Sequence, residues 1–189
     1  MTADGQVVLD HDGVTGPLWR RRPIAAQPRG SLPPHIPSLV ELYQAVGADF
    51  ELSLDVKDPT AFEGILAAAD SVGARGRLWL CHGDRALLAR WRNRAGPARL
   101  VESTAVARLP GGFEAGIAAA GEAGIDALNL HRREWTPARV AAAHAAGLGA
   151  FGWDAQTRDD IVRLLDAGVD GVYSDHAGLL AELIDDRRR

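Results

Sequence analysis

From Ser38 onward the chain alternates between two hydrophobic rhythms. Short apolar runs are followed by longer stretches whose apolar residues recur three and four positions apart, the spacing of a helix face. Pro37-Ser38 followed by Leu39, Leu42, Tyr43 and Val46 predicts a helix opening on a serine cap. Strands are predicted over Phe50 to Val56, Arg77 to Cys81, Arg99 to Glu102, Ala127 to Leu130, Gly149 to Trp153 and Gly171 to Ser174. Helices are predicted over Pro59 to Val72, Arg85 to Arg94, Gly112 to Glu122, Pro137 to Ala146, Arg158 to Ala167 and Leu179 to Asp186.

Before Ser38 the pattern is different. Gln6 to Asp12 reads as a short strand entered from an Asp4-Gly5 turn. Gly13 to Pro37 is rich in Pro, Gly and Arg and predicts a long irregular segment, of the kind that often carries function. Its run Arg20-Arg21-Arg22-Pro23 could meet a polyanion, although such runs are more often solvated surface.

Sustained strand–helix alternation with short connections implies a parallel sheet covered by helices, either doubly wound or closed as a barrel. No GxGxxG follows the first strand and no phosphate-binding P-loop is present, so a dinucleotide or NTP site lacks its usual support. Polar residues gather at predicted strand ends: Asp12, Lys57, His82-Gly83-Asp84, Glu102-Ser103, His131, Trp153-Asp154 and Asp175-His176. Both architectures place their chemistry at that end of the strands.

Composition narrows the picture. A length of 189 residues fits one domain over residues 1–189, or two very small ones, and 47% apolar residues supply a core. The net charge of -4, spread without long acidic or basic blocks, argues weakly against a dedicated nucleic-acid binder. No segment approaches the ~20 apolar residues of a membrane span. One cysteine, Cys81, permits no intrachain disulfide and fits a reducing compartment, so a cytoplasmic protein is expected. Cys81 reads as a small buried hydrophobe. Trp19, Trp79, Trp91 and Trp135 are expected in the core or an interface, and His35 and His144 on a loop and a helix surface. Asp175 is expected to cap the last helix or to orient a neighbour.

Among the 21 Lys and Arg residues only Lys57 is a lysine. A chain that uses arginine everywhere else suggests that this position wants a compact ammonium rather than a planar guanidinium. Lys57 follows the apolar run that ends in Asp55, and Asp10-His11-Asp12-Gly13 closes Val7-Val8-Leu9. Acid, histidine and lysine at two strand ends make a plausible metal or phosphate site. The alternative is an ordinary surface lysine paired with Asp55 or Asp58.

Five stretches, in order, resemble the bacterial glycerophosphodiester phosphodiesterases, a family of TIM-barrel enzymes. They are Asp4-Gly5-Gln6-Val7-Val8-Leu9-Asp10-His11-Asp12, Ile36-Pro37-Ser38-Leu39-Val40-Glu41-Leu42, Leu54-Asp55-Val56-Lys57, Phe151-Gly152-Trp153-Asp154 and Gly168-Val169-Asp170-Gly171-Val172-Tyr173-Ser174-Asp175. The resemblance implies an α/β TIM barrel and hydrolysis of glycerophosphodiesters to glycerol 3-phosphate and an alcohol, in lipid metabolism. It implies a divalent cation, Ca2+ or Mg2+, on hard carboxylate oxygens. By the same resemblance His11 acts in proton transfer, Asp55 is a metal ligand, Lys57 neutralises the phosphate and Trp153 lines the substrate pocket.

The chain departs from the family in two places. Asp55 stands where the family has Glu. The family's opening strand ends in His-Arg and its second in Glu-x-Asp, and no counterpart precedes Asp4-Gly5. The expectation is a barrel lacking its first two strands, truncated at the N-terminus, with exposed edges open to self-association. The competing reading is an inactive barrel remnant, or a fragment acting through a partner. A third reading uses Lys57 as a Schiff-base nucleophile.

Overall fold

The computed structural model describes residues 1–188, which fall into two units. The first comprises Met1–Leu80 with Ala95–Ala98, and the second Cys81–Arg94 with the chain from Arg99 onward.

The first unit opens on an irregular segment. The strand expected over Gln6–Asp12 does not form. One bridge pairs Val8 with Ser38, flanked by Leu9 N–H to Pro37 O and Leu39 N–H to Val7 O, each 2.9 Å. The partner chain segment turns into a helix at Ser38, so no ladder can extend from that bridge. Val8 still packs on a small core of Ile24, Leu32 and Ile36. The proline-rich stretch folds into a two-stranded antiparallel ribbon, β1 (Val14–Thr15) with β2 (Arg22–Pro23), and short 3-10 turns.

Helix α1 (Leu39–Val46) starts as the sequence predicts. Ser38 Oγ accepts from Glu41 N–H at 3.1 Å, and the Glu41 carboxylate accepts from Ser38 N–H at 2.6 Å, a capping box. Arg29 also donates to Glu41 at 2.7 Å, and these bonds hold the Glu41 carboxyl at about 2. Strand β3 (Leu52–Asp55) is followed by a 3-10 turn at Pro59–Ala61 and helix α2 (Phe62–Asp70), which buries Phe62, Ile65, Leu66 and Ala69 as its spacing requires. Strand β4 (Leu78–His82) neighbours β3 and leads into the second unit.

In the second unit helix α3 (Arg85–Ala95) precedes four parallel strands, β5 (Arg99–Ser103), β6 (Ala127–His131), β7 (Gly149–Trp153) and β8 (Gly171–Val172). Helices α4 (Gly112–Glu122), α5 (Pro137–Ala145) and α6 (Arg158–Ala167) connect them, and α7 (Ala177–Arg188) follows. Leu100, Val101, Ala127, Leu128 and Ala150 are buried, consecutive residues included. Burial on both faces is why these strands read as apolar runs rather than alternations. Glu102 is also buried in β5, and its carboxylate accepts from Arg85 Nε at 2.7 Å while Arg85 reaches Gly116 O at 3.1 Å.

A repeated tripeptide sets the start of the strands. Gly124-Ile125-Asp126 precedes β6 and Gly168-Val169-Asp170 precedes β8. Asp126 Oδ2 accepts from Leu100 N–H and from Arg92, both at 2.7 Å. Asp170 Oδ2 accepts from Ala150 N–H and pairs with His144 Nε2, both at 2.8 Å. Each carboxylate thus satisfies the entry of the preceding strand and anchors a neighbouring helix. At the other end Arg132 ties the strands together. Its N–H donates to Trp153 O at 3.0 Å, and its guanidinium reaches Asp154 at O and at Oδ2 and pairs with Asp160 at 2.9 Å. Asp154 is the one described non-glycine residue with positive φ, 63°, a conformation aspartate tolerates when held. Gln156 links Asp154 to Asp175, so Asp175 orients a neighbour.

Two outcomes follow for stability. Asp126→Ala leaves the buried Leu100 N–H without its acceptor and removes one partner of Arg92, and urea unfolding should show a loss of about 2 kcal/mol, with Asp126→Asn losing less. Gln156 and Arg132 hold the Asp154 carboxyl below the ordinary aspartate value of 3.8. Burial would raise Asp160, but Thr157 and Arg132 outweigh it and lower that carboxyl too. Depressed carboxyls give stability that is present above their unfolded values and lost as pH falls through the folded ones. Thermal melts should therefore be insensitive to these groups from neutrality down to about pH 5, and fall steeply below 3.8.

Candidate active site

Alternation along β3 and its extension decides where Lys57 points. Asp55 and Lys57 are two apart and share a face, while Val56 between them turns inward and is 4% exposed. Lys57 Nζ pairs with Asp55 Oδ2 at 2.5 Å, both side chains more than half exposed. The ordinary ion pair weighed for this lysine is therefore present, and Asp55 rather than Asp58 is its partner. Both residues line a cavity of about 290 Å3 within the first unit.

His11 lines the same cavity from the N-terminal segment. Its position is set by an Asx turn, in which Asp10 Oδ2 accepts from Asp12 N–H at 2.9 Å and from Gly13 N–H at 2.6 Å. The His11 ring is almost wholly exposed, and its Nδ1 lies 2.8 Å from Asp12 Oδ1. That hydrogen bond, with the histidine's charge, lowers the Asp12 carboxyl. Asp58 also lines the cavity. Burial would raise its carboxyl, but bonds from Thr60 and the amino terminus outweigh it and lower it. The remaining lining is apolar, with Val7, Leu9, Leu54 and Ile65. A cation, an exposed imidazole and an apolar wall suit an anionic ester with a carbon chain.

The fit to a divalent cation is poor. Asp10 is engaged in its turn, Asp55 with Lys57, and Asp58 with Thr60 and the amino terminus. Among the described residues no three His, Cys, Asp or Glu side chains gather as a metal ligand set. No chemical step is routed through a metal below.

Trp153 belongs to the second unit, at the end of β7. It is 39% exposed, and the His131 ring meets it edge-on with centroids 5.0 Å apart. His131 Nε2 lies 3.1 Å from the Arg132 guanidinium. His82 instead accepts from Asp84 N–H at 2.9 Å and packs against Trp91. Cys81, Trp91 and Trp135 are buried as expected. Trp19 is not in the core: it is 87% exposed. Arg132, which ties these strand ends together, stands out only weakly in the sequence. Its one signal was an arginine directly after a strand-end histidine.

Residues 87–179 match the glycerophosphoryl diester phosphodiesterase family. No curated protein matches the chain. Among solved structures, a protein from Agrobacterium tumefaciens assigned as a glycerophosphoryl diester phosphodiesterase superposes with a TM-score of 0.85 at 21% identity, covering 99% of this chain and 83% of that one. A like-assigned protein from Silicibacter pomeroyi gives 0.82 at 21% identity, covering 99% and 81%. An Oleispira antarctica phosphodiesterase, solved with the product sn-glycerol-3-phosphate, gives 0.75 at 18% identity, covering 98% and 82%. These likenesses carry the fold, and the TIM-type barrel implied by the family resemblance is borne out as part of such a barrel. His11, Asp55 and Lys57 lie outside the matched residues, whereas Trp153 lies inside them. The family resemblance read from five short stretches therefore stands as a match of residues 87–179 to the glycerophosphoryl diester phosphodiesterase family.

Proposed function

We propose that the chain hydrolyses glycerophosphodiesters to glycerol 3-phosphate and an alcohol, at the cavity lined by His11, Asp55 and Lys57. The observation that carries this reading is the placement of the sole lysine beside the strand-end carboxylate, in one cavity with His11. The family match over residues 87–179 supports it. The Oleispira antarctica phosphodiesterase, which holds sn-glycerol-3-phosphate, supports the choice of product.

In this reading Lys57 leaves part of its pairing with Asp55 to neutralise charge on the phosphoryl oxygens as water adds to phosphorus. An ammonium fits a single oxygen that moves as the phosphorus inverts, where a guanidinium fork would hold two. His11 gives a proton to the departing alkoxide as the phosphorus–oxygen bond breaks, the attacking water releases its proton to solvent, from which the exposed His11 ring is reprotonated, and Asp12 keeps that ring oriented. The apolar wall of Val7, Leu9 and Leu54 excludes water from one side of the ester. A Schiff-base role for Lys57 is disfavoured, because its amine is exposed and ion-paired rather than desolvated.

A second reading, a barrel domain without turnover that acts through a partner, is favoured by one observation. The carboxylates around the cavity are engaged, and no metal ligand set gathers among the described residues. A divalent cation would need Asp55 to leave Lys57 and further oxygens to join it.

Release of sn-glycerol 3-phosphate from glycerophosphocholine, glycerophosphoethanolamine and glycerophosphoglycerol tests the proposal. Lys57→Met should lower kcat/KM by about a hundredfold and His11→Ala by a similar factor, with Lys57→Arg failing to restore activity. No turnover of any of the three esters by the purified chain, with or without Ca2+ or Mg2+, would favour the second reading. Calorimetry gives an independent check: affinity for Ca2+ or Mg2+ should be no tighter than about millimolar.

A further inference from the structure

The ribbon of the first unit presents an unusual tip. Leu18 and Trp19 are adjacent and are the two most exposed large apolar residues described, at 79% and 87%. Arg20, Arg21 and Arg22 follow directly, and every residue from Gly16 to Pro23 is exposed. From Gly13 to Gln27 there are three arginines and no acid.

The tip is held rather than loose. Gly16 turns the chain at φ 90°, where an added Cβ would lie 2.8 Å from Arg20 O. Arg20 N–H then donates to Pro17 O at 2.8 Å, closing a turn over Leu18–Arg20. The base is braced by Gln27, whose buried side chain donates to Thr15 Oγ1 at 2.9 Å, Pro23 O at 3.0 Å and Arg22 O at 3.2 Å. Ile24 N–H donates to Gly13 O at 2.9 Å, and both residues line the cavity of His11 and Lys57. The fold thus spends a braced ribbon on holding a leucine and a tryptophan out in water, at the rim of the candidate site.

We propose that this tip docks the protein on an anionic lipid surface, with Leu18 and Trp19 entering the headgroup region and Arg20, Arg21 and Arg22 meeting lipid phosphates. Tryptophan's amphipathic ring suits the membrane–water interface. Arginine's fork suits phosphate, and its stem packs along apolar surface while the charge stays wet. A protein partner fits less well. A stable interface takes about 800 Å2 per partner, and one Trp offers about 150–250 Å2. A nucleic acid would use the arginines but would leave Leu18 without a role. The absence of a helix long and apolar enough to cross a membrane among the described residues leaves surface docking open. The inference rests on the ribbon alone and stands whether or not the chain hydrolyses phosphodiesters.

Cosedimentation of the full chain with phosphatidylcholine vesicles, with and without phosphatidylglycerol, tests it. The wild type should bind the phosphatidylglycerol vesicles and release them at high salt. Leu18→Ser with Trp19→Ser should weaken partitioning at least about tenfold, and Arg20→Gln, Arg21→Gln and Arg22→Gln about fivefold each. Circular dichroism should be unchanged in all of them, because the altered side chains touch solvent. Failure of the wild type to sediment with phosphatidylglycerol vesicles would overturn the proposal. So would undiminished binding by the Leu18, Trp19 variant, which would mean charge adsorption alone. Tighter binding to single-stranded DNA than to the vesicles, or a self-association lost in that variant without vesicle binding, would assign the tip to another partner and overturn it equally.

Discussion

The second unit depends on satisfying the backbone at the mouth of a parallel sheet. Parallel strands cannot be joined by tight hairpins, so each begins where a helix has just ended. Asp126 and Asp170 meet this need twice, with the same geometry. Each takes the N–H of the preceding strand and a cation or imidazole from a helix. That sets β5 against β6 and β7 against β8 in register. Register at the start of the strands fixes what stands opposite at their end. His131 faces Trp153, and Arg132 can then reach both the Trp153 and Asp154 carbonyls.

Much of this order is legible in the amino-acid sequence. The bounds of α4, β7 and α6 coincide with those read from periodicity, since a glycine or a threonine cap stands at each change of rhythm. Reading fails where an apolar run has no partner long enough to pair with. Val7-Val8-Leu9 has strand composition, yet its neighbour becomes a helix at Ser38, so only one bridge forms. Strand β8 stops at Val172, short of the expected Ser174, because beyond it the chain bonds across to Ala155 and Gln156 rather than along a ladder.

The candidate site divides in the same way. Lys57 and Asp55 were visible because composition isolates one and alternation aligns the pair. His11 was visible from its place after an apolar run. Arg132, Asp154 and Gln156 were not, because their roles come from a backbone conformation and from contacts between strand ends. Asp126 and Asp170 carry no local signal beyond a repeated Gly-x-Asp. The family match lies over residues 87–179, while the candidate catalytic side chains lie before it. The functional reading therefore rests most heavily on the cavity and on Lys57.

A chain with one lysine allows that claim to be tested at a single atom group. Protein labelled with 13C-lysine gives one side-chain methylene resonance set, from Lys57. Titration with sn-glycerol 3-phosphate should move that Cε resonance saturably, and the shift should be absent with glycerol alone. A Lys57 resonance that stays fixed through the titration would mean that its ammonium does not meet the phosphate, and would contradict the assignment of this cavity as the site of hydrolysis.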